Sequence, residues 1–417
     1  MLTVVAGLLL MVWLVAGCTR RDEGAILFSF WGSAEQQKVE KKIVAEFEKE
    51  NPDVKVSILP IGQRYSTKIQ SMIVGDIAPD VLMVDMQHYD EWASRGVFLD
   101  ITDAVNELGS ADFMPVAVKA YRRDGRYFAA PVNAHGLVLY CNLDALKAAG
   151  IPFSPRGWTW DQILEMAPGL TGRGKAGGAD YCVLLPRADL MMASFGARLF
   201  DDPARPTRAV VESEEARAAL RIYKTLKDKG WGVAPDVADE QGMYQLFRDG
   251  RVAFYFSGRW FTPELAGKTK FAWDVAPVPS GPAGSVTFHG GTGIGVWSKT
   301  RHRAEALRFL KFYAGRKGAD IAMRGGRNVP VYRTMAYGPA FLGLRPPASM
   351  ITFSKTMEEG ASTLPIYAPG YAEVVGIVRR HMDGLTYGDA SPEEVLAGLQ
   401  KDVDRWLVAR RKAAGGK

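Results

Sequence analysis

Three short polar clusters could do chemistry, because each directly follows an apolar, strand-like run. They are Trp31-Gly32-Ser33, Gly62-Gln63-Arg64 and Asp85-Met86-Gln87. Together they offer an aromatic face, hydroxyl and amide groups, a cation and a carboxylate. Such groups stack on apolar surfaces and make directional hydrogen bonds, which is suited to holding a ligand.

Alternating strands and helices must position these clusters. Ile26–Phe30 and Val81–Val84 are apolar runs, and between them Val54, Val56 and Ile58 alternate as in a strand. Helical stripes separate the three strands, and the first helix opens with a capping box of Ser33 and Gln36. This β-α-β-α-β order predicts a parallel sheet with right-handed crossovers. Ligands of such sheets bind beyond the carboxyl ends of the strands, where all three clusters lie.

The rest of the chain continues in the same mixed pattern. Further strands are expected at Leu137–Cys141, Val252–Phe256, Asp274–Val278 and Ile294–Trp297. Further helices are expected at Leu143–Ala149, after Thr159 (a second capping box with Gln162), around Ala216–Leu226, around Leu307–Tyr313, at Tyr371–Leu385 and after Ser391.

Composition narrows the class of protein. The chain has 417 residues, of which 47% are hydrophobic and 24% charged, enough for two or three soluble cores and unlike a polytopic membrane protein. The net charge of +6 is spread along the chain, so we expect no nucleic acid partner. Three cysteines are too few for a disulfide scaffold. Cys141 and Cys182 are expected to form either one disulfide or two buried thiols.

Catalytic and cofactor motifs are missing or incomplete. Gly169–Lys175 almost forms a phosphate loop, but Ala176 stands where a serine or threonine must hold magnesium. Gly290–Gly295 precedes a strand, whereas a phosphate cradle needs a helix. The five histidines lack metal-ligand spacing. We therefore expect no metal, no cofactor and no catalytic residues. A secreted carbohydrate-active enzyme stays open, because carboxylate pairs can meet only in three dimensions.

The amino terminus indicates export. Residues 1–17 carry no charge, and Leu14–Cys18 resembles a bacterial lipobox, in which the cysteine is lipidated after cleavage. Residues 1–18 are therefore interpreted as a lipoprotein signal peptide with its lipidation cysteine. The alternative is an amino-terminal membrane anchor. Both interpretations tether a soluble body outside the cytoplasm, in the periplasm or on the outer face of the membrane.

The remaining chain resembles the family 1 extracellular solute-binding proteins, the lipoprotein or periplasmic receptors of sugar-importing ABC transporters. The resemblance rests on the order and spacing of several segments. They are Ile43–Glu48, Asn51–Val56, Ala78–Asp85, Leu139–Asn142, Thr159–Asp161 and Gly250–Trp260.

This resemblance implies an α/β, type 2 periplasmic-binding-protein fold, in which two lobes share a hinge that the chain crosses three times. Ligand lies in the cleft between the lobes, and closure presents both lobes to a permease. The crossings are expected near Ala130–His135, Val278–Gly290 and Gly326–Tyr332. The expected N-lobe is 25–131 plus 290–327, and the expected C-lobe is 132–289 plus 328–417.

The resemblance also implies the function. We expect a monomeric, non-catalytic receptor that binds a mono- or oligosaccharide and delivers it to the transmembrane subunits of an ABC permease. A receptor for a glycerophosphodiester or phosphorylated polyol is the alternative within the family. A sensor that signals to a membrane kinase is a third possibility.

The predicted ligand-binding residues follow from what a sugar needs. The stacking candidates are Trp31, Trp260 and Tyr367, and the charged candidates are Arg64 and Asp85. Neutral hydrogen bonds are expected from Ser33, Gln36, Asn133 and His135. Gly290 and Gly291 would let ligand approach the backbone, and Arg327 would either reach ligand or brace the hinge. Trp158 and Trp160 are expected in the C-lobe core, and the doublet Arg379-Arg380 on a solvated or partner-facing surface.

Overall fold

The architecture is built around two five-stranded sheets. The computed structural model describes residues 24–62, 64–172, 178–202, 205–234, 240–327, 329–359 and 371–415. Within these ranges, none of the helices has both the length and the apolar character needed to span a membrane.

The strands of the described residues are two to seven residues long. They are β1 Ala25–Phe30, β2 Lys55–Pro60, β3 Val81–Asp85, β4 Arg122–Arg123, β5 Arg126–Tyr127, β6 Ala130–His135, β7 Val138–Asn142, β8 Tyr181–Leu184, β9 Gly232–Val233, β10 Val252–Ser257, β11 Trp273–Ala276, β12 Ser280–Gly281, β13 Gly284–Ser285 and β14 Gly290–Val296.

The α-helices alternate with or follow these strands, and short 3-10 turns lie at Ser110–Asp112 and Arg259–Phe261. The helices are α1 Ala34–Glu50, α2 Tyr65–Val74, α3 Met86–Ser94, α4 Thr102–Glu107, α5 Pro115–Tyr121, α6 Leu143–Ala148, α7 Trp160–Leu170, α8 Ala188–Ser194, α9 Glu214–Asp228, α10 Glu240–Arg248, α11 Thr262–Leu265, α12 Arg303–Ala314, α13 Arg316–Arg324, α14 Arg333–Ala336, α15 Pro339–Leu342, α16 Ile351–Glu359, α17 Tyr371–Thr386 and α18 Pro392–Gly415.

The first sheet has the order β2-β1-β3-β14-β6. Strand β1 pairs in parallel with β2 and β3, which confirms the predicted β-α-β-α-β unit. The predicted capping box at the start of α1 is present: the Gln36 backbone N–H donates to the Ser33 hydroxyl, and the Gln36 side chain accepts from the Ser33 N–H. Helix α1 then buries Phe47 against Phe309 of α12, with ring centroids 5.1 Å apart. The apolar face of α1 thus covers one side of this sheet.

Strand β14 corrects one boundary. The sequence predicted a strand from Ile294, but the strand begins at Gly290 and lies antiparallel between β3 and β6. The glycines belong inside it because bulky rings pack over the backbone. A Cβ atom on Gly293 would lie 2.6 Å from the Tyr121 ring, and one on Gly295 would lie 2.5 Å from the Phe98 ring. Because glycine has a low strand propensity, the sequence pattern did not reveal the first four residues of this strand.

The second sheet has the order β11-β7-β10-β8-β9. Its aromatic core includes Tyr140, whose ring centroid lies 5.1 Å from that of Phe261. As expected, Trp160 is buried in this core, where its indole N–H donates to the Ser194 hydroxyl at 3.0 Å. The predicted capping box of Thr159 and Gln162 opens α7.

The two cysteines of this sheet are free, buried thiols. Strand β10 pairs with both β7 and β8, so it separates Cys141 from Cys182. Two strand spacings amount to about 9–10 Å, beyond the roughly 7 Å between Cα atoms that a disulfide can bridge. Burial raises the pKa of both thiols. Of the two alternatives, the structure has the buried thiols.

The chain passes between the two sheets after β6 and again before β14. Strand β6 pairs with β14 from Ala130 to His135, with a register shift between Thr292 and Gly293, so residue 131, where the expected N-lobe segment ends, lies inside a strand of the first sheet. The passage to the second sheet lies later, before β7 begins at Val138. The carboxy-terminal helices α17 and α18 pack on each other and on α9, and α17 also contacts α3 beside the first sheet.

Candidate functional site

Residues of all three polar clusters line one cavity of about 970 Å³. Every predicted ligand-binding residue within the described ranges lines it: Trp31, Ser33, Gln36, Arg64, Asp85, Asn133, His135, Trp260, Gly291 and Arg327. Tyr367 and Cys18 fall outside the described residues. The cavity therefore combines strand ends of the first sheet with the segment that follows β10 of the second.

Topology explains why distant residues meet here. The carboxyl ends of the parallel strands β1, β2 and β3 lie on one edge of the first sheet, as predicted. The amino end of β14 reaches the same edge because it is antiparallel to β3, with Thr292 opposite Asp85. The carboxyl end of β6 joins them, with His135 opposite Gly290.

Two indole rings furnish the cavity with aromatic faces. The Trp31 ring meets Tyr65 edge-to-face at 4.9 Å, and the Trp260 ring meets His135 edge-to-face at 4.9 Å. Both tryptophans are only partly buried. The Trp260 ring lies so close to Gly258 that a Cβ atom there would overlap it. The absence of a side chain at Gly258 thus leaves room for this indole.

Asp85 is fixed by its own helix. Its carboxylate caps α3, accepting from the backbone N–H groups of Gln87 at 2.8 Å and His88 at 3.1 Å. The His88 ring nitrogen Nδ1 lies 3.0 Å from the same carboxylate, and this hydrogen bond raises the pKa of His88 against the opposing effect of burial. The Asp85 side chain keeps 31% of its surface exposed. It is therefore rigid and still accessible from the cavity.

Ser33 and Gln36 are engaged within the protein. The Ser33 hydroxyl donates to Glu264 at 2.5 Å, besides accepting from the Gln36 backbone N–H at 3.3 Å. The Gln36 side-chain amide donates to the Trp260 carbonyl at 3.3 Å. These bonds join the start of α1 to the segment after β10. Both side chains therefore stabilise the fold and also line the cavity.

The Asn133 and His135 side chains form a second internal network. The Asn133 side-chain oxygen accepts from the Thr292 N–H at 3.0 Å and lies 3.2 Å from Nδ1 of His135. Burial, with a smaller contribution from His289, lowers the pKa of His135 to about 4. His135 is therefore neutral near pH 7. A Cβ atom on Gly290 would overlap its ring, which explains why a glycine stands there.

Arg327 braces the interior. Its Nε lies 2.5 Å from Oε1 of Glu40, and a terminal N–H donates to the Trp31 carbonyl at 3.0 Å. The Tyr313 hydroxyl donates to the other Glu40 oxygen at 2.6 Å. Burial raises the pKa of Glu40, and the arginine charge opposes that shift. Of the two predicted roles for Arg327, the geometry favours the brace, although the residue also lines the cavity.

Several lining residues were missed by sequence reasoning. They are Ala134, Tyr244, Arg259, Phe288, Thr292, Val329 and Arg379. Arg259 could have been found, because it stands directly after β10 in Gly258-Arg259-Trp260. Arg379 carried no such signal, because a helical arginine doublet is typical of a solvated surface. Within the described ranges, no group of acidic, histidine or cysteine side chains could hold a metal ion.

The comparisons with known proteins agree with this architecture. The family model for bacterial extracellular solute-binding proteins matches residues 31–320. The arabinooligosaccharide-binding protein of Bacillus subtilis is 24% identical over 336 residues, covering 74% of each chain. Among solved structures, Lmo0181 of Listeria monocytogenes in complex with cycloalternan has a TM-score of 0.81 at 22% identity, covering 92% of this chain and 98% of that one.

A second solved neighbour has a different ligand. UgpB of Mycobacterium tuberculosis, in complex with glycerophosphocholine, has a TM-score of 0.77 at 20% identity, covering 93% of this chain and 99% of that one. These structural likenesses establish a shared periplasmic-binding-protein fold. The family match extends over most of the sequence, and the chain therefore belongs to the bacterial extracellular solute-binding proteins.

Proposed function

We propose that the protein is a non-catalytic receptor that binds a mono- or oligosaccharide in this cavity and delivers it to an ABC permease. One observation carries the proposal: the predicted aromatic and polar residues, far apart in the sequence, line a single cavity. Two partly exposed indoles, Trp31 and Trp260, provide stacking faces for sugar rings, and Asp85 provides a fixed acceptor for hydroxyl groups. The arabinooligosaccharide-binding relative supports this ligand class.

The size of the cavity fits such a ligand. A volume of about 970 Å³ lies at the upper end of the roughly 300–1,000 Å³ common for small-molecule sites. It can accommodate more than one sugar ring.

The acidic residues support binding over hydrolysis. Glycoside cleavage uses a pair of carboxyl groups on either side of the scissile bond. Among the lining residues that the structure describes, Asp85 is the one acidic side chain, and it already caps a helix.

The rest of the proposal concerns location and movement. We infer that Cys18 carries a lipid that anchors a monomer outside the cytoplasm, and that lobes 25–131 plus 290–327 and 132–289 plus 328–417 close around the sugar. The lipobox-like Leu14–Cys18 supports the anchor. The position of the cavity between strand ends of the first sheet and the segment that follows β10 of the second sheet supports closure.

Binding is tested on the mature chain, expressed without its leader and with Cys18→Ser. Neutral and acidic saccharides are screened by thermal shift and by tryptophan fluorescence. A ligand at a hundred times its Kd should stabilise the protein by about 2.7 kcal/mol. The fluorescence should change because two indoles line the cavity.

A pair of variants assigns the site. Trp260→Ala should weaken saccharide binding by about tenfold or more, since stacking and burial of an aromatic contribute over 1 kcal/mol. The control is Trp406→Ala on α18, whose indole N–H donates to Glu373 and which is absent from the cavity lining. Unchanged binding by Trp260→Ala would place the sugar elsewhere, and cleavage of the sugar during incubation would contradict the receptor function.

A further inference from the structure

The cavity has an excess of positive charge. Its arginines are Arg64, Arg259, Arg327 and Arg379, whereas Asp85 is the acidic side chain among its described lining residues. A neutral sugar would add no counter-charge. The charge that a ligand would meet depends on which of these arginines the protein itself pairs with an acid.

Two of the charges are balanced internally. Arg327 forms its ion pair with Glu40, and both side chains are nearly inaccessible. Asp85 accepts from two backbone N–H groups and lies against His88, so its own charge is stabilised without an arginine. Arg64, Arg259 and Arg379 remain.

Arg259 is a buried cation that forms no ion pair with a carboxylate of the described residues. Only 4% of its surface is exposed. It donates to the Thr262 hydroxyl, to the Gly326 carbonyl at 2.5 Å and to the Met323 carbonyl at 3.4 Å, all uncharged acceptors. Its Nε is buried without a hydrogen-bond partner in the described chain. A buried charge of this kind is costly unless an opposite charge approaches it.

Arg64 and Arg379 are exposed cations on separate elements. Arg64 precedes α2 with a φ of 60°, a backbone conformation that arginine seldom adopts and that is often found at functional sites. Arg379 extends from α17, which lies in the carboxy-terminal part of the chain. Neither forms an ion pair with an acidic residue of the described chain, in contrast to Arg123 with Asp90 or Arg316 with Asp112.

We propose that the saccharide carries a carboxylate or phosphate group, which Arg64 and Arg379 bind and toward which Arg259 contributes its uncompensated charge. This inference rests on the proposed function and narrows its ligand to acidic saccharides. A guanidinium group matches both anions because it can donate two parallel N–H bonds to their oxygens. A neutral saccharide would leave these cations facing only hydroxyl groups.

Isothermal titration calorimetry with matched ligands tests the charge. The probes are galacturonate oligomers beside galactose oligomers of equal length, glucose 6-phosphate beside glucose, and glycerophosphocholine as a phosphodiester without a sugar ring. We expect the acidic member of one sugar pair to bind at least about tenfold more tightly at low ionic strength, because hydrogen bonds to charged groups are the stronger ones. The advantage should shrink as salt rises.

Charge-removing variants test the residues. Arg64→Gln and Arg379→Gln should each weaken binding of the acidic sugar by about tenfold and leave its neutral counterpart within about twofold. Matched controls are Lys68→Gln on α2 and Arg380→Gln on α17, exposed cations that do not line the cavity. Both controls should bind like the parent protein.

The outcomes separate this inference from the proposed function. If neutral sugars bind as tightly as acidic ones, or if both variants behave like their controls, the inference is overturned while a sugar receptor stands. If glycerophosphocholine alone binds and depends on Arg64 and Arg379, the anionic site stands and the sugar function fails. If no probe binds, both are overturned.

Discussion

Two walls of the same cavity differ in what their polar groups already do. The bridged wall consists of Trp31–Gln36 and Arg327 with segment 259–264. Hydrogen bonds join its members, and Arg327 is also ion-paired with the buried Glu40 behind them. The open wall consists of Arg64, Asp85 and Arg379, all partly or fully exposed. A side chain can therefore line the cavity and still be engaged within the protein, so that it is not available to a ligand.

The difference has a direct energetic consequence. Polar groups of the bridged wall are buried or partly buried and bonded to one another, so removing one leaves its partner without a hydrogen bond, and that penalty appears in the free energy of unfolding. Cations of the open wall are solvated in the free protein, so their removal should change ligand affinity and leave stability nearly unchanged.

The largest effect should come from breaking the buried ion pair of the bridged wall. Arg327→Met leaves the Glu40 carboxylate uncompensated in a fully buried position, which should cost about 3–5 kcal/mol of unfolding free energy. Urea denaturation measures the change. The control is Arg324→Met, an exposed cation on α13 paired with Asp320, which should cost less than about 0.5 kcal/mol. Equal effects of the two variants would remove the distinction.

The next effect concerns pH, through His135 between the walls. Because its pKa is lowered to about 4 in the folded protein, the unfolded chain binds more protons between pH 6.5 and 4. Stability should therefore fall as the pH drops through that window, by up to about 1.4 kcal/mol per pH unit. The groups that influence His135 are His289, which shifts its pKa down further, and Asp85, which opposes the shift.

A variant isolates this histidine in urea titrations at several pH values. His135→Asn should flatten the fall in stability between pH 6.5 and 4. The control is His88→Asn, whose ring lies against Asp85 of the open wall. The pKa of His88 is raised, so its contribution is instead lost as the pH rises through that raised value. An unchanged pH profile in His135→Asn would show that the ring is protonated or exposed in solution.

A smaller effect should follow from removing one bond across the bridged wall. Ser33→Ala removes the cap of α1 and the hydrogen bond to the buried Glu264, so we expect a loss of about 1–2 kcal/mol. Ser66→Ala is the matched control, because its hydroxyl lies 3.5 Å from Asp85 on the open wall and should contribute little. Thermal unfolding of both variants decides the comparison.

The smallest effect on stability should come from the open wall. Arg64→Gln and Arg379→Gln should change the unfolding free energy by less than about 0.5 kcal/mol, since neither cation is buried or paired with a described acid. Denaturant midpoints measure this directly. A loss above about 1 kcal/mol would show that these two cations stabilise the fold, as the residues of the bridged wall do.

Local patterns explain which predictions the structure confirms. Both capping boxes, the strand–helix alternation of the first three strands and the buried tryptophan of α7 follow from neighbours within a few positions. The convergence of the polar clusters at one sheet edge also follows, because parallel strands must end together. The glycine-rich start of β14 was not predicted as strand, because its packing partners, Tyr121 and Phe98, are remote in sequence.

By itself, the sequence determined the family, the α/β alternation and the positions from which most of the cavity lining comes. The tertiary structure alone decided which of those side chains are engaged. Ser33 and Glu264 are 231 positions apart, and Tyr313 and Glu40 are 273 positions apart, so no local pattern could pair them. The physical reason is that capping and periodicity act over a few residues, whereas the burial and pairing of a polar group depend on what the folded chain packs against it.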